Sequence, residues 1–212
     1  MIVDKCAYTD TDEIFNYLDN LDVEYHKQYK RFNKMVKVPR GQASFTLNDT
    51  IHYDYKVSGG SPPNTLMCDR LKDITARVNE VLGTNFNTIL LNKYKDGEDC
   101  IGYHRDRETG WAEGTGFATL AFGAERDFLM RHEESGETQV IAHRDGHVIY
   151  LPHPMNTHTF TLCPSASGSR PAATPSPFAR LSRNQGLHKE VWASSLASNR
   201  CDATHGRWRP RL

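Results

Sequence analysis

Asn92-Lys93-Tyr94-Lys95-Asp96-Gly97-Glu98-Asp99-Cys100-Ile101-Gly102-Tyr103-His104-Arg105-Asp106 is the stretch on which the reading of this chain turns. It continues an apolar run at 88–91, passes a turn marked by Gly97 and ends in a His-x-Asp pair. On extended backbone, residues two apart share a face, so the His104 imidazole and the Asp106 carboxylate point the same way. Together they are two thirds of the facial 2-His-1-carboxylate set that holds Fe(II) and leaves three coordination positions open. A second pair, His143-Arg144-Asp145, precedes Gly146 between two strand-like segments and reads as a hairpin turn.

Upstream of this stretch the chain carries helical signals. Residues 11–18 open with capping types and place apolar groups at helical spacing. Asn64 and Thr65 are suited to cap a second helix with Leu71, Ile74, Val78, Val81 and Leu82 on its apolar face and Gly83 as its stop. From Phe86 the period shifts to short strands at 88–94, 117–122, 128–132, 138–142, 147–151 and 157–162, separated by Gly-bearing turns. Helices followed by short antiparallel strands predict an α+β, mainly β fold: a double-stranded β-helix, or jelly roll, with flanking N-terminal helices.

At 212 residues the chain suits one domain with its own core. No apolar run of about 18 residues exists, which excludes a helical membrane span. The start, Met1 to Cys6, has no secretory h-region, and five irregularly spaced cysteines fit free thiols, so an intracellular protein is expected. Its 26 basic and 26 acidic groups cancel overall but not locally. Eight basic and two acidic groups lie from Cys163 onward, leaving 18 basic and 24 acidic before it. A nucleic-acid contact would then rest on a local strip: Lys27, Lys30, Arg31, Lys34, Lys37 and Arg40, interleaved with Tyr25, Tyr29 and Phe32. A solvated charged face over core aromatics is the alternative reading of that strip.

Asn92-x-Tyr94 with Gly97, His104-x-Asp106, Phe117 to Gly123 and Arg126-Asp127-Phe128 together resemble the AlkB-type Fe(II)/2-oxoglutarate dioxygenases, most of all their duplex-DNA repair branch. The likeness extends to Val38-Pro39-Arg40-Gly41-Gln42-Ala43 and to Asn156-Thr157-His158, covering roughly 20–160. It implies Fe(II) on His104 and Asp106, with 2-oxoglutarate as co-substrate held by Asn92 and Tyr94. It implies DNA as partner, a duplex with its alkylated base flipped out, and a monomer working in the nucleus if the cell is eukaryotic. Phe32 would be the wedge filling the gap, with Asn33 and Lys34 on the DNA backbone and Arg40 on the flipped-base or phosphate side. Tyr53, Asp54 and Tyr55 match a pocket wall, and Glu108 suits a cationic methylated base.

The resemblance breaks at Phe160. In the family a second histidine ligand, an arginine that grips 2-oxoglutarate and a Leu-Thr-Phe-Arg strand follow, but here the ligand place is Thr161. Residues 161–180 can be written in codons that, with one cytosine restored before Thr161, read His-Ala-Val-Pro-Gln-Arg-Phe-Gly at the start and Ser-Leu-Thr-Phe-Arg at the end. A frameshift within the coding sequence is therefore expected. The domain is read as residues 1–162, and 163–212, rich in Ser, Pro, Ala and Arg, as a disordered or out-of-frame tail. His158 is the alternative third ligand, although its spacing from position 161 puts it on the other face of a strand.

Three functions stay open. The first is a demethylase that repairs 1-methyladenine and 3-methylcytosine, releasing succinate, CO₂ and formaldehyde. The second is a catalytically impaired, nucleic-acid-binding remnant of that enzyme. The third is an RNA or protein hydroxylase on the same fold.

Overall fold

The computed structural model describes residues 1–25, 28–31, 33–51, 64–105, 112–164 and 176–182. Ile14 and Leu18, one helical turn apart, bury the inner face of α1 (Asp12–Asp19). Leu71, Ile74 and Val78 do the same for α2 (Asp69–Leu82), which stops at Gly83 in the left-handed conformation, φ 66°. The second helix begins later than its sequence predicts. Asn64–Leu66 instead forms a short strand whose Asn64 Oδ1 accepts from Ser44 Oγ at 2.5 Å, and Met67 N donates to Thr46 O at 2.9 Å. Those bonds commit the backbone to a sheet before a helix can start.

In chain order the strands are β1 (Val3–Cys6), β2 (Gln28–Arg31), β3 (Lys34–Lys37), β4 (Gly41–Thr46), β5 (Asn64–Leu66), β6 (Thr88–Tyr94), β7 (Ile101–His104), β8 (Phe117–Ala121), β9 (Arg126–His132), β10 (Thr138–His143), β11 (His147–Leu151), β12 (Thr159–Cys163) and β13 (Ser176–Ser182). A seven-stranded sheet runs β1-β11-β8-β13-β6-β4-β5, and a four-stranded sheet runs β10-β9-β12-β7. The outer face of the large sheet packs on the helices: Ile89, Leu91, Leu120 and Val148 share one apolar cluster with Leu18, Leu71, Ile74 and Val78. Phe117, Ile149 and Leu151 on its other face meet Phe128 and Met130 of the small sheet. The two sheets thus form the expected sandwich, with helices outside one of them.

β2 and β3 form a separate hairpin. Arg31 pairs with Lys34, which leaves a two-residue loop, and Asn33 there has φ 62°. Asparagine tolerates that left-handed conformation, so its first role is to close the turn.

Of residues 163–212, read from the sequence as a disordered or out-of-frame tail, 176–182 form β13, while 165–175 and 183–212 lie outside the described residues. β13 runs antiparallel to β6 along its whole length and to β8 over four residues, in the centre of the large sheet. Such pairing draws on backbone groups that every residue but proline supplies, so a segment without periodicity in its side chains can take it. Ala179, almost wholly buried, is small enough to sit between Leu91 and Leu120.

Candidate active site

The inner faces of the two sheets enclose a cavity whose wall includes Asn92 and Tyr94 from β6, Thr119 from β8 and Ile101 and His104 from β7. Thr161 and Cys163 of β12 complete that wall, with Phe117 and Phe128 at its apolar end. The register explains how His104 gets there. Thr161 pairs with His104 and Cys163 with Ile101, so two steps on β12 match three on β7. That bulge brings Ile101 and His104, three residues apart, onto one face, where strict alternation would have separated them. Its glycine, Gly102, offers a carbonyl 2.9 Å from His104 Nδ1. A carbonyl only accepts, so Nδ1 carries the hydrogen, and the lone pair of the neutral ring sits on Nε2.

Asn92 is held from the opposite direction. Its Oδ1 accepts from Arg40 Nε at 2.8 Å and from Gln42 Nε2 at 3.0 Å, all three side chains being buried. With the oxygen engaged on both counts, the amide nitrogen is the end left to donate into the cavity. Burial pushes the Tyr94 hydroxyl well above its ordinary pKa of 10, with Cys163 also raising it and Arg40 and Arg126 opposing. Tyr94 is therefore a protonated donor at any physiological pH. The Arg126 guanidinium lies 4.9 Å over the Tyr94 ring, and its Nη1 donates to Asp99 O at 3.0 Å, pinning the turn that separates β6 from β7. Burial likewise pushes the Cys163 thiol up to about 11.

The structure brings Asn92, Tyr94 and His104 together. Arg40, expected on the flipped-base or phosphate side, is 4% exposed and bonded to Asn92. Its neighbour Gln42 belongs to the same network, a role that the quoted motif around Arg40 contained but did not reveal. Asn33 and Lys34 are exposed on the hairpin. His158 closes a 3₁₀ turn, Met155–His158, is exposed and does not line the cavity; its carbonyl accepts from Glu133 N at 2.9 Å. Phe32, Tyr53, Asp54, Tyr55, Asp106 and Glu108 lie outside the described residues. The second His-x-Asp pair is structural, as its sequence context suggests. His143 Nε2 faces the carbonyls of Thr119 and His147 at 3.1 and 3.2 Å, and Asp145 accepts from Thr11 Oγ1 and Gly123 N.

Does the cavity fit a ferrous ion and a dicarboxylate? His104, with its lone pair on Nε2, suits the metal, and the Asn92 and Tyr94 donors suit carboxylate oxygens. Thr161, paired with His104 across β12 and β7, offers no strong metal ligand, and among the described residues, which do not include Asp106, no three His, Cys, Asp or Glu side chains converge as a metal set.

A family model for the 2OG-Fe(II) oxygenase superfamily matches residues 3–166. The chain is similar to the DNA oxidative demethylase ALKBH2 of Bos taurus, 37% identical over 76% of this chain and 63% of that protein. It is likewise similar to the DNA oxidative demethylase ALKBH2 of Homo sapiens, 36% identical over 75% of this chain and 66% of that protein. The matched region thus spans a little under two thirds of those relatives. Among solved structures, an oxidoreductase of the 2OG-Fe(II) oxygenase family from Burkholderia pseudomallei superposes with a TM-score of 0.55 at 16% identity, over 87% of this chain and 86% of that one. OsALKBH1 superposes with a TM-score of 0.54 at 13% identity, over 86% of this chain and 97% of that one. These two likenesses establish the fold.

Proposed function

The chain belongs to the 2OG-Fe(II) oxygenase superfamily, and on that premise we propose that it descends from, and is built to act as, a DNA oxidative demethylase. One observation supports the reading: Asn92 and Tyr94 from one sheet and His104 from the other line the same cavity. In this proposal His104 and Asp106 hold Fe(II), while the Asn92 amide and the Tyr94 hydroxyl donate to 2-oxoglutarate. Bound there, iron, 2-oxoglutarate and O₂ would supply the oxidising power that hydroxylates an N-methyl group, which then leaves as formaldehyde, with succinate and CO₂ as co-products.

The chain's own residues do the holding. Arg40 and Gln42 orient Asn92, and the bulge at Gly102 aims His104. The hairpin of β2 and β3, with exposed Lys34 beside its turn and exposed Lys37 at its open end, would meet the DNA backbone and bring Phe32 to a duplex from which the alkylated base is flipped. Tyr53, Asp54, Tyr55 and Glu108 would line the base pocket. The protein would act as a monomer and, in a eukaryotic cell, in the nucleus.

A second reading is favoured by Thr161 alone: a DNA-binding protein without turnover, since a metal site short of one ligand loses affinity. The deciding assay incubates the full chain with Fe(II), 2-oxoglutarate, ascorbate and a duplex carrying 1-methyladenine. Succinate and formaldehyde formed in equal amounts support the demethylase, whereas DNA binding with no product supports the second reading.

A further inference from the structure

We propose that Arg126, together with Arg40, supplies the positive charge that makes the cavity selective for a small organic dianion, so that a dicarboxylate is recognised by the chain's own groups. The inference rests on reading the cavity as the co-substrate site, and it names the residues that set its preference for charge.

Both guanidinium groups lie inside the fold, Arg40 being 4% exposed and Arg126 5%. Arg126 opens β9 and reaches the turn between β6 and β7. Its Nη1 donates to Asp99 O at 3.0 Å and to Pro164 O at 3.4 Å, and its Nη2 to Asp96 O at 2.5 Å. Three carbonyls orient the group but bring no net charge to cancel it. Its Nε is buried with no hydrogen-bond partner among the described residues. Arg40 donates through Nε to Asn92 Oδ1, again a neutral acceptor. No ion pair between described residues includes either arginine. Buried cations without a counter-charge are costly, and an anion seated nearby offsets that cost.

The cavity lies against both groups. Arg126 sits 4.9 Å over the ring of Tyr94 and Arg40 holds Asn92, and both Tyr94 and Asn92 line the cavity. The charge is felt at the wall: burial drives up the pKa of the Tyr94 hydroxyl and of the Cys163 thiol, and both arginines oppose that rise. Among the described residues that line the cavity there is no Asp or Glu, while an amide, a phenol and the hydroxyls of Thr119 and Thr161 can donate hydrogen bonds. Positive potential over neutral donors, with no carboxylate to compete, suits an anion. Two uncompensated cations match the two charges of a dicarboxylate.

The test reads binding and not turnover. The full chain, in EDTA, is titrated calorimetrically with 2-oxoglutarate and with its 5-amide, which keep one shape and differ by one negative charge. The unaltered chain is expected to bind 2-oxoglutarate about tenfold more tightly than the amide. Arg126→Gln should bring the two affinities within about threefold of each other, and Arg126→Lys, which keeps the charge, should restore most of the difference. A purely structural role would lower both affinities together and leave their ratio unchanged.

Equal affinities of the unaltered chain for the two ligands overturn the proposal without recourse to any variant, and so does an absence of 2-oxoglutarate binding. An undiminished ratio in Arg126→Gln that circular dichroism shows to be folded overturns it as well. If the ratios change as expected but the full chain, supplied with Fe(II) and 2-oxoglutarate, forms no formaldehyde from methylated DNA, the demethylase reading fails while the charge assignment stands.

Discussion

At the scale of single residues, the cavity is defined by what fixes its donors. Arg40 illustrates how burial reassigns a residue: a cation expected at the DNA surface is instead bonded to Asn92 inside the fold. Removing a charged donor from a buried acceptor costs about 1.5–3 kcal/mol, so Arg40→Met should lower stability in urea by that amount. It should also weaken binding of an unreactive 2-oxoglutarate analogue and leave duplex affinity intact. A loss confined to DNA affinity would return Arg40 to the surface role. His143 sets a different expectation, on pH. Burial pushes its pKa down from 6.5 to about 4. The folded chain therefore stays neutral there while the unfolded chain takes up a proton as pH falls through 6.5. Stability is full above that point, declines between pH 6.5 and 4, and is constant below, a loss of roughly 3 kcal/mol from this site. His143→Asn should flatten that part of the stability profile; an unchanged slope would place the pH dependence elsewhere.

At the scale of elements, the hairpin of β2 and β3 stands as a two-stranded sheet of its own, and the proposed DNA contact rests on it. It carries Lys34 and Lys37 exposed, together with Met35, 62% exposed, and pairs with neither the large nor the small sheet. Each phosphate contact contributes about 0.9 to the slope of log K against log salt. Lys34→Ala with Lys37→Ala should therefore reduce that slope by roughly 2, measured by fluorescence anisotropy on duplex DNA, and change it equally for methylated and unmethylated duplex. An unaltered slope would remove the hairpin from the interface. Six of the seven strands between residues 88 and 163, all but β7, were legible in the sequence to within two residues, because one buried face and Gly-bearing turns write a clear pattern there. The sequence disclosed neither β1 to β5 nor β13. In β1, Asp4, Lys5 and Cys6 are all exposed, and such an edge strand is held by pairing with β11, which leaves no alternation to read. The bulge in β7 was equally silent: Asn92, Tyr94 and His104 were legible as types, but the three-residue step that turns His104 inward appears only in the register.

At the scale of the whole molecule, closure of the large sheet depends on the least patterned segment of the chain. β13 joins β6 to β8, and without it the two halves of the sheet present unpaired edges along the floor of the cavity. Its register carries information about the coding sequence. In the frame recovered by one added cytosine, the final arginine falls at position 179, which here faces the helix-side core between Leu91 and Leu120. An arginine buried there without a partner would be costly. A one-residue slip would move it to the face that Asn92 and Thr119 share with the cavity. Three chains separate these possibilities: the present one, one ending at Pro164, and one read in the restored frame through position 179 and beyond. The chain ending at Pro164 is expected to lose its cooperative thermal transition by circular dichroism, because roughly half of the hydrogen-bonding edges of β6 and β8 lose their partner. The restored-frame chain is expected to melt several degrees above the present one and to gain affinity for a 2-oxoglutarate analogue. A Pro164-terminated chain that melts cooperatively at the temperature of the present one would show that β13 contributes no stability, and the sheet would have to close at β6 and β8 by other means.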